Sequence, residues 1–268
     1  IRLNKIKINN KKTKSSYRLQ INDVVKIFDI SKFKPKKKLN IVKYKPSNKE
    51  ANSYEKYILE NNNNFIVINK PSGIPVQSGT KSFKNIIDIL KDTELFKGHK
   101  PYIVHRLDKE TSGVLIIAKN REYAQLFTSL FRIRKIHKTY LALSFGYLDK
   151  KKDTIDNNLI RYEGNKKVLE RATTHYEIID RNNSIIFFKL KPITGRKHQI
   201  RKHLADLNCP IIGDNKYFVN NKNKNTCLML HSYEIKFIIN NRKYKFRASL
   251  PEYFKKLLFK YNLKSKDF

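Results

Sequence analysis

The sequence predicts an α+β fold with a mixed, largely antiparallel central sheet and flanking helices. Two observations carry that expectation. Short apolar stretches closed by turn residues recur from about residue 56 onward and come in runs. Helical stretches are scattered irregularly among them, without the strict strand–helix alternation that builds a parallel sheet. No internal repeat is evident. A chain of 268 residues, 40% hydrophobic and rich in Phe and Tyr, can bury a real core.

The elements follow in chain order. In residues 1–30, "KIKIN" and "DVVKIFD" read as short strands joined by the basic loop "NNKKTKSS". The stretch resembles the C-terminal half of an S4 RNA-binding domain, so a partial S4-like unit is expected over 1–30. The sequence opens at Ile1 and its only methionine is Met229, which adds the expectation of a preceding segment. Residues 31–55 are rich in Lys, Pro and Asn and read as a basic linker. The main domain is expected over 56–268.

Within it, "FIVIN" (65–69) is a strand closed by the Pro71–Gly73 turn, and "SFKNIIDILK" (82–91) a capped amphipathic helix. "YIV" (102–104) and the buried "VLIIAK" (114–119) are strands, followed by a helix over 121–134. "KTYLALSFGY" (138–147), "ATTHYEII" (172–179) and "SIIFFKLKP" (184–192) are strands. "GRKHQIRKHLADLN" (195–208) is a helix for which Thr194 stands in capping position. "LMLHSYEIKFII" and "RKYKFRAS" complete the sheet, and Pro251 opens a last short helix.

The net charge is +35, from 58 Lys and Arg against 23 Asp and Glu. Such a balance points to a polyanion partner, and nucleic acid is the one expected. The joint abundance of Lys, Asn, Ile and Tyr indicates an AT-rich coding bias that inflates the charge without creating it. No apolar run approaches the roughly 18 residues of a membrane span, and no secretory leader is visible. With only Cys209 and Cys227 a disulfide framework is not expected, and a reducing cytoplasm fits.

Three residues carry candidate chemistry. Asp108 sits in a tight turn between two strands, where a carboxylate can act as nucleophile or general base. A turn Asp more commonly satisfies its own backbone N–H groups. A kinase catalytic loop is the tempting alternative, but Leu107 interrupts the His-Arg-Asp triplet and no Gly-rich loop or Asp-Phe-Gly is present. Tyr140 shares a strand face with Ala142 and Ser144, which leaves room for a flat ring against it. Taken alone, it is an ordinary half-buried tyrosine. Arg201 lies beside the Ile200/Leu204/Leu207 core stripe, near enough to the interior to pair with a buried carboxylate. Arg196 and Lys197, near the helix start, suggest an anion site. His198, His203, His231 and the cysteines lack metal-ligand spacing, so no metal is expected. No nucleotide fingerprint occurs.

Taken together, "INKPSGIPVQSG" (68–79), "HRLDKETSGVLIIAK" (105–119), "KTYLALSFG" (138–146), "TGRKHQIRKHL" (194–204) and "LMLHSYEIKF" (228–237) resemble the ordered motifs of the RluA-type pseudouridine synthases. The resemblance spans about residues 56–260. It implies the pseudouridine synthase fold, with Asp108 as catalytic aspartate, Tyr140 stacked on the target base and Arg201 paired with the aspartate. It implies that Arg106 enters the RNA helix where the uridine leaves. His105, Thr111, Arg196, Lys197 and His198 are the further RNA contacts expected from these motifs. The linker and "ERATTHYEI" bring the chain closer to RluC-like members, which makes bacterial large-subunit ribosomal RNA the expected partner. The reaction implied is an isomerisation needing no cofactor, metal or nucleotide, performed by a cytoplasmic monomer without membrane attachment. Two other readings compete. A non-catalytic RNA-binding or ribosome-assembly protein accounts for the charge but leaves Asp108, Tyr140 and Arg201 unexplained. A glycosidase needs two acids about 5–9 Å apart, and Glu110 is the only acid near Asp108.

Overall fold

A computed structural model describes residues 6–14, 16–29, 44, 46–78, 84–91, 93–96, 100–164, 166–218 and 227–264. Contacts divide the chain into two compact units, Ile1–Lys43 and Tyr44–Phe268. In the first, β1 (Ile6–Ile8) and β2 (Val25–Ile27) pair antiparallel. Asn9 closes this hairpin: its amide donates to Asp23 at 2.7 Å and its carbonyl accepts from Val24 N–H at 2.9 Å.

The second unit begins earlier than the expected boundary at 56. Residues 31–43 of the expected linker lie outside the described residues, but helix α1 (Asn48–Ser53) and a 3₁₀ turn (Glu55–Tyr57) occupy most of its end. Ser47 caps α1 by accepting from Glu50 N–H, and Tyr44 and Tyr54 pack on a core cluster. A Lys- and Asn-rich composition does not reveal a six-residue helix that one serine and two tyrosines hold in place.

The remaining strands are β3 (Ile58–Asn61), β4 (Phe65–Lys70), β5 (Tyr102–Ile103), β6 (Ser112–Ala118), β7 (His137–Phe145), β8 (Lys152–Glu163), β9 (Lys166–Arg181), β10 (Ile185–Pro192), β11 (Leu230–Ile239) and β12 (Arg242–Arg247). They form one sheet in the order β3-β4-β6-β11-β7-β10-β9-β8, with β12 on β11 and β5 on β6. Every pairing is antiparallel except β6 with β11, so the sheet is mixed and largely antiparallel as expected.

The sheet's centre explains the continuous apolar run of β6. Val114 and Ile116 face a cluster with Phe65, Val67 and Phe127 of helix α3 (Arg121–Arg132). Leu115 and Ile117 face the opposite cluster with Ile66, Ile68, and Ile86 and Ile89 of helix α2 (Ile86–Leu90). Covered on both faces, the strand has no polar side to show. Helix α2 is shorter than the expected 82–91. Asn85 caps it by accepting from Asp88 N–H, and residues 82 and 83 lie outside the described residues.

Two further corrections concern the sheet's other half. β8 was not expected, and β9 is twice the length of "ATTHYEII". Helix α4 runs Gln199–Asp206 only, and Thr194 does not cap it. Instead Thr194 Oγ1 donates to Gln199 Oε1 at 2.7 Å and accepts from Thr173 N–H at 3.0 Å, while Gln199 Oε1 also accepts from Arg196 N–H. Gln199 thus closes the turn from below, and His198 enters the helix in the left-handed region with φ 55°. Helix α5 (Glu252–Lys260) follows Pro251 as expected.

Candidate active site

The loop that carries Asp108 joins β5 to β6 and is pinned from the adjacent β4 turn. Lys70, fully buried at the end of β4, donates from Nζ to the carbonyls of Pro71 (2.9 Å), Ile74 (2.9 Å) and Lys109 (3.0 Å). Burial pulls its pKa down to about 7, with Glu110 and Asp108 opposing. Ser72 Oγ donates to the Glu110 carbonyl and Gly73 N–H to that of Lys109. Thr111 N–H donates to the Asp108 carbonyl and closes the turn itself. The stretch "NKPSG" is therefore the brace of the Asp108 loop, a role its spelling did not disclose.

Asp108 faces α4. Arg201 Nη1 lies 3.4 Å from its Oδ2, and His198 Nε2 lies 3.6 Å from Oδ1. Arg201 is itself buried and makes its two short bonds elsewhere. Nε and Nη2 each meet one oxygen of Asp214 at 2.7 Å, a bidentate pair. Asp214 is 1% exposed and also accepts from the N–H groups of Lys216 and Tyr217. Burial opposes the charge of both partners, and their mutual bonds outweigh it: Arg201 is raised and Asp214 lowered. The expectation that Arg201 pairs with Asp108 thus holds at the longer distance, but its principal partner is Asp214. Tyr217 completes the wall: its hydroxyl is 2.8 Å from His198 Nδ1, and its ring lies 5.2 Å from the Arg201 guanidinium carbon. Burial drives His198 down to about 4, so it is neutral near pH 7 and Arg201 remains the cation facing Asp108.

Tyr140 is half-buried on β7 and packs against the core cluster that contains Leu107 of the Asp108 loop. Burial pushes its pKa up to about 12; a hydrogen bond with Ser232 opposes this and the Asp108 charge adds to it. Register explains the neighbourhood. Tyr140 stands opposite Ser232 on β11, and Ser232 opposite Gly113 on β6. The structure therefore brings Asp108, Tyr140 and Arg201 around one place, from three elements far apart in sequence.

The expected RNA contacts divide. Arg106 and Lys197 are exposed. His198 belongs to the pocket wall. Arg196 is exposed and drawn to β9, with Nη1 3.3 Å from Glu170 and Nε donating to the Arg171 carbonyl. His105 and Thr111 make their contacts within the protein. His105 Nε2 accepts from Ile116 N–H at 2.8 Å and its ring lies 4.8 Å from that of Phe131; burial holds its pKa near 3, so it stays a neutral acceptor. Thr111 is 2% exposed. His105 turns its ring onto the backbone of β6, and Thr111 is enclosed in the loop. Glu110 is exposed, on the solvent side of the turn. Sequence reasoning missed Asp214, Tyr217 and Lys70. The segment "PIIGDNKY" offered only a Gly-Asp turn as a signal, and burial gives that turn its meaning.

A model of the RNA pseudouridylate synthase family matches residues 64–206. The chain is 33% identical over 268 residues to the ribosomal large subunit pseudouridine synthase C of Buchnera aphidicola subsp. Baizongia pistaciae, covering 94% of this chain and 83% of that protein. It is 33% identical over 214 residues to the ribosomal large subunit pseudouridine synthase D of Borreliella burgdorferi, covering 74% and 66%. Among solved structures, human RNA pseudouridylate synthase domain containing 4 superposes with a TM-score of 0.71 at 28% identity, over 80% of this chain and 96% of that one. The braced Asp108 loop, the Arg201–Asp214 pair and Tyr140 all lie on a chain that belongs to the RNA pseudouridylate synthase family.

Proposed function

We propose that this chain converts specific uridines of large-subunit ribosomal RNA to pseudouridine, with Asp108 as the reacting carboxylate. The observation that carries the reading is the placement of Arg201 beside Asp108, with Tyr140 near enough to feel the Asp108 charge. The relatives named for large-subunit synthases supply the substrate class.

The isomerisation breaks the N1–C1′ bond, rotates the detached uracil and rejoins C1′ to C5, whose proton is lost as N1 gains one. Oxidation state is unchanged, so no redox partner takes part. Asp108 has two routes open: attack on C1′, or removal of the C2′ proton as the base departs. Arg201 places positive charge 3.4 Å from the carboxylate and favours its ionised form for either route. Tyr140 offers a flat ring against which the loose uracil can rotate without escaping. The target must leave its stack at a cost of a few kcal/mol, and exposed Arg106 takes its place in the helix. The basic β1–β2 unit, read as S4-like, adds affinity for RNA.

The test is release of tritium from C5-labelled uridine in ribosomal RNA. The wild-type protein is expected to release it, and Asp108→Asn to lower release by about 10⁴-fold while binding RNA normally. Full activity in that variant would overturn the assignment.

A further inference from the structure

Lys138 stands on the same face of β7 as Tyr140, two residues earlier, a spacing of roughly 7 Å along a strand. Its Nζ reaches the Thr194 carbonyl at 3.4 Å and lies against Gly195, so it sits under the turn from β10 into α4. Its charge is also felt by His105, on the loop of Asp108. The ammonium therefore sits at the turn into α4, near enough to the Asp108 loop for its charge to reach His105.

The other cations around the site are accounted for. Arg201 has Asp214 and Asp108, Arg196 has Glu170, and Lys70 has three carbonyls. Lys138 makes no ion pair among the described residues. Burial lowers it to about 8, and no acid pulls it back up. A half-buried ammonium with one long hydrogen bond is an unfavourable element of a fold unless an anion arrives with the ligand.

We propose that Lys138 binds the phosphodiester of the nucleotide whose base lies on Tyr140, and so acts as a positioning residue for the reaction. This rests on the function proposed above and names how the same site holds its substrate. RNA brings one phosphate per nucleotide, set off from the base by a single ribose. That separation is comparable to the spacing between Tyr140 and Lys138. Holding the phosphate there fixes the ribose, and hence C1′, while the uracil turns.

The experiment uses an RNA fragment carrying the mapped target uridine, with tritium release and filter binding as readouts. Lys138→Met is expected to raise KM by about 10- to 100-fold, as loss of a charge-assisted hydrogen bond predicts, with kcat within a few-fold. The salt dependence of binding should lose the share of about one phosphate contact. Lys138→Arg should recover most of the loss. A neutral methylphosphonate at the target's own linkage should weaken the wild type by a similar factor and affect Lys138→Met little further. Unchanged KM and salt slope in a folded Lys138→Met protein would overturn the inference. So would full additivity of the variant and the neutral linkage, since another group would then hold the phosphate. A neutral linkage harmless to the wild type would also overturn it, and would point to a uracil carbonyl as the ligand. If the wild type releases no tritium from any ribosomal fragment, the proposed function fails, while the salt slopes still report on Lys138.

Discussion

Arg201 divides itself unequally between two carboxylates, and the division has consequences. The bidentate pair with Asp214 fixes the guanidinium plane without help from Asp108. Asp108 then receives one long contact and keeps its oxygens available for a ribose. Replacing Arg201 by Met would leave Asp214 buried with two backbone N–H donors and no counter-charge. Loss of one partner from such a pair is expected to destabilise the fold by about 3–5 kcal/mol, seen as a lowered urea midpoint, and to remove activity. An Arg201→Met protein of wild-type stability would show that the pair is dispensable to the fold. The proximity of Asp108 and Arg201 was expected from the motifs that carry them, whereas Tyr140 alone reads as an ordinary strand tyrosine. Asp214 was not, because a Gly-Asp turn looks the same whether its carboxylate meets water or a buried guanidinium. The inward placement of His105 and Thr111 was hidden for the complementary reason: proximity to Asp108 in sequence does not tell which side chains of a tight loop turn inward.

At the scale of elements, the site depends on how closely β6 can approach β11. Gly113 has φ +109°, and a Cβ there would lie 2.2 Å from the Ser232 carbonyl oxygen, a backbone atom that no rotamer change can move. The same Ser232 stands directly opposite Tyr140 across β11 and β7. Gly113→Ala must force the parallel junction apart, at an expected cost of about 2–4 kcal/mol from strain and overpacking. It should lower activity beyond the loss of folded protein, because it shifts the partner of Tyr140; chemical denaturation and tritium release measure the two effects separately. Wild-type values in both would show that the junction can relax. Strands β4, β6, β7, β10 and β11 were readable since burial on one or both faces writes apolar residues into them. β8 was not. Its "KDTIDNNLIRYE" buries only Ile155 and Leu159, and its order comes from pairing with β9 and from α4, through Asn157 to Asp206 and Lys202 to the Ile160 carbonyl. Support of that kind leaves no period in the sequence. The start of α4 was misread because Gln199, inside the helix, does the closing that Thr194 was expected to do.

Across the whole molecule the dominant quantity is a net charge of +35 on 268 residues. Composition made that plain, yet could not say which cations are free for a partner. Several are already engaged: Glu234 alone lies within 4.0 Å of Lys236, Lys245 and Arg247, and Glu170 of Arg161 and Arg196. With 23 acids to 58 bases, such pairing leaves most of the positive charge available to phosphates. Binding of ribosomal RNA should therefore be driven largely by counterion release, and log K should fall linearly with log salt. A surface making roughly six to ten phosphate contacts loses about 10³–10⁵ in affinity between 50 and 200 mM salt, and a loss of at least about 10³-fold is expected here. The chemical step should behave differently. The Arg201–Asp108 contact is partly buried, where mobile ions screen poorly, so kcat at saturating RNA should change only a few-fold over the same range. Measuring KM and kcat across that salt series separates the two. A flat KM would show that affinity does not come from the basic surface, and a kcat that collapsed along with it would place the salt-sensitive charges within the reacting site itself.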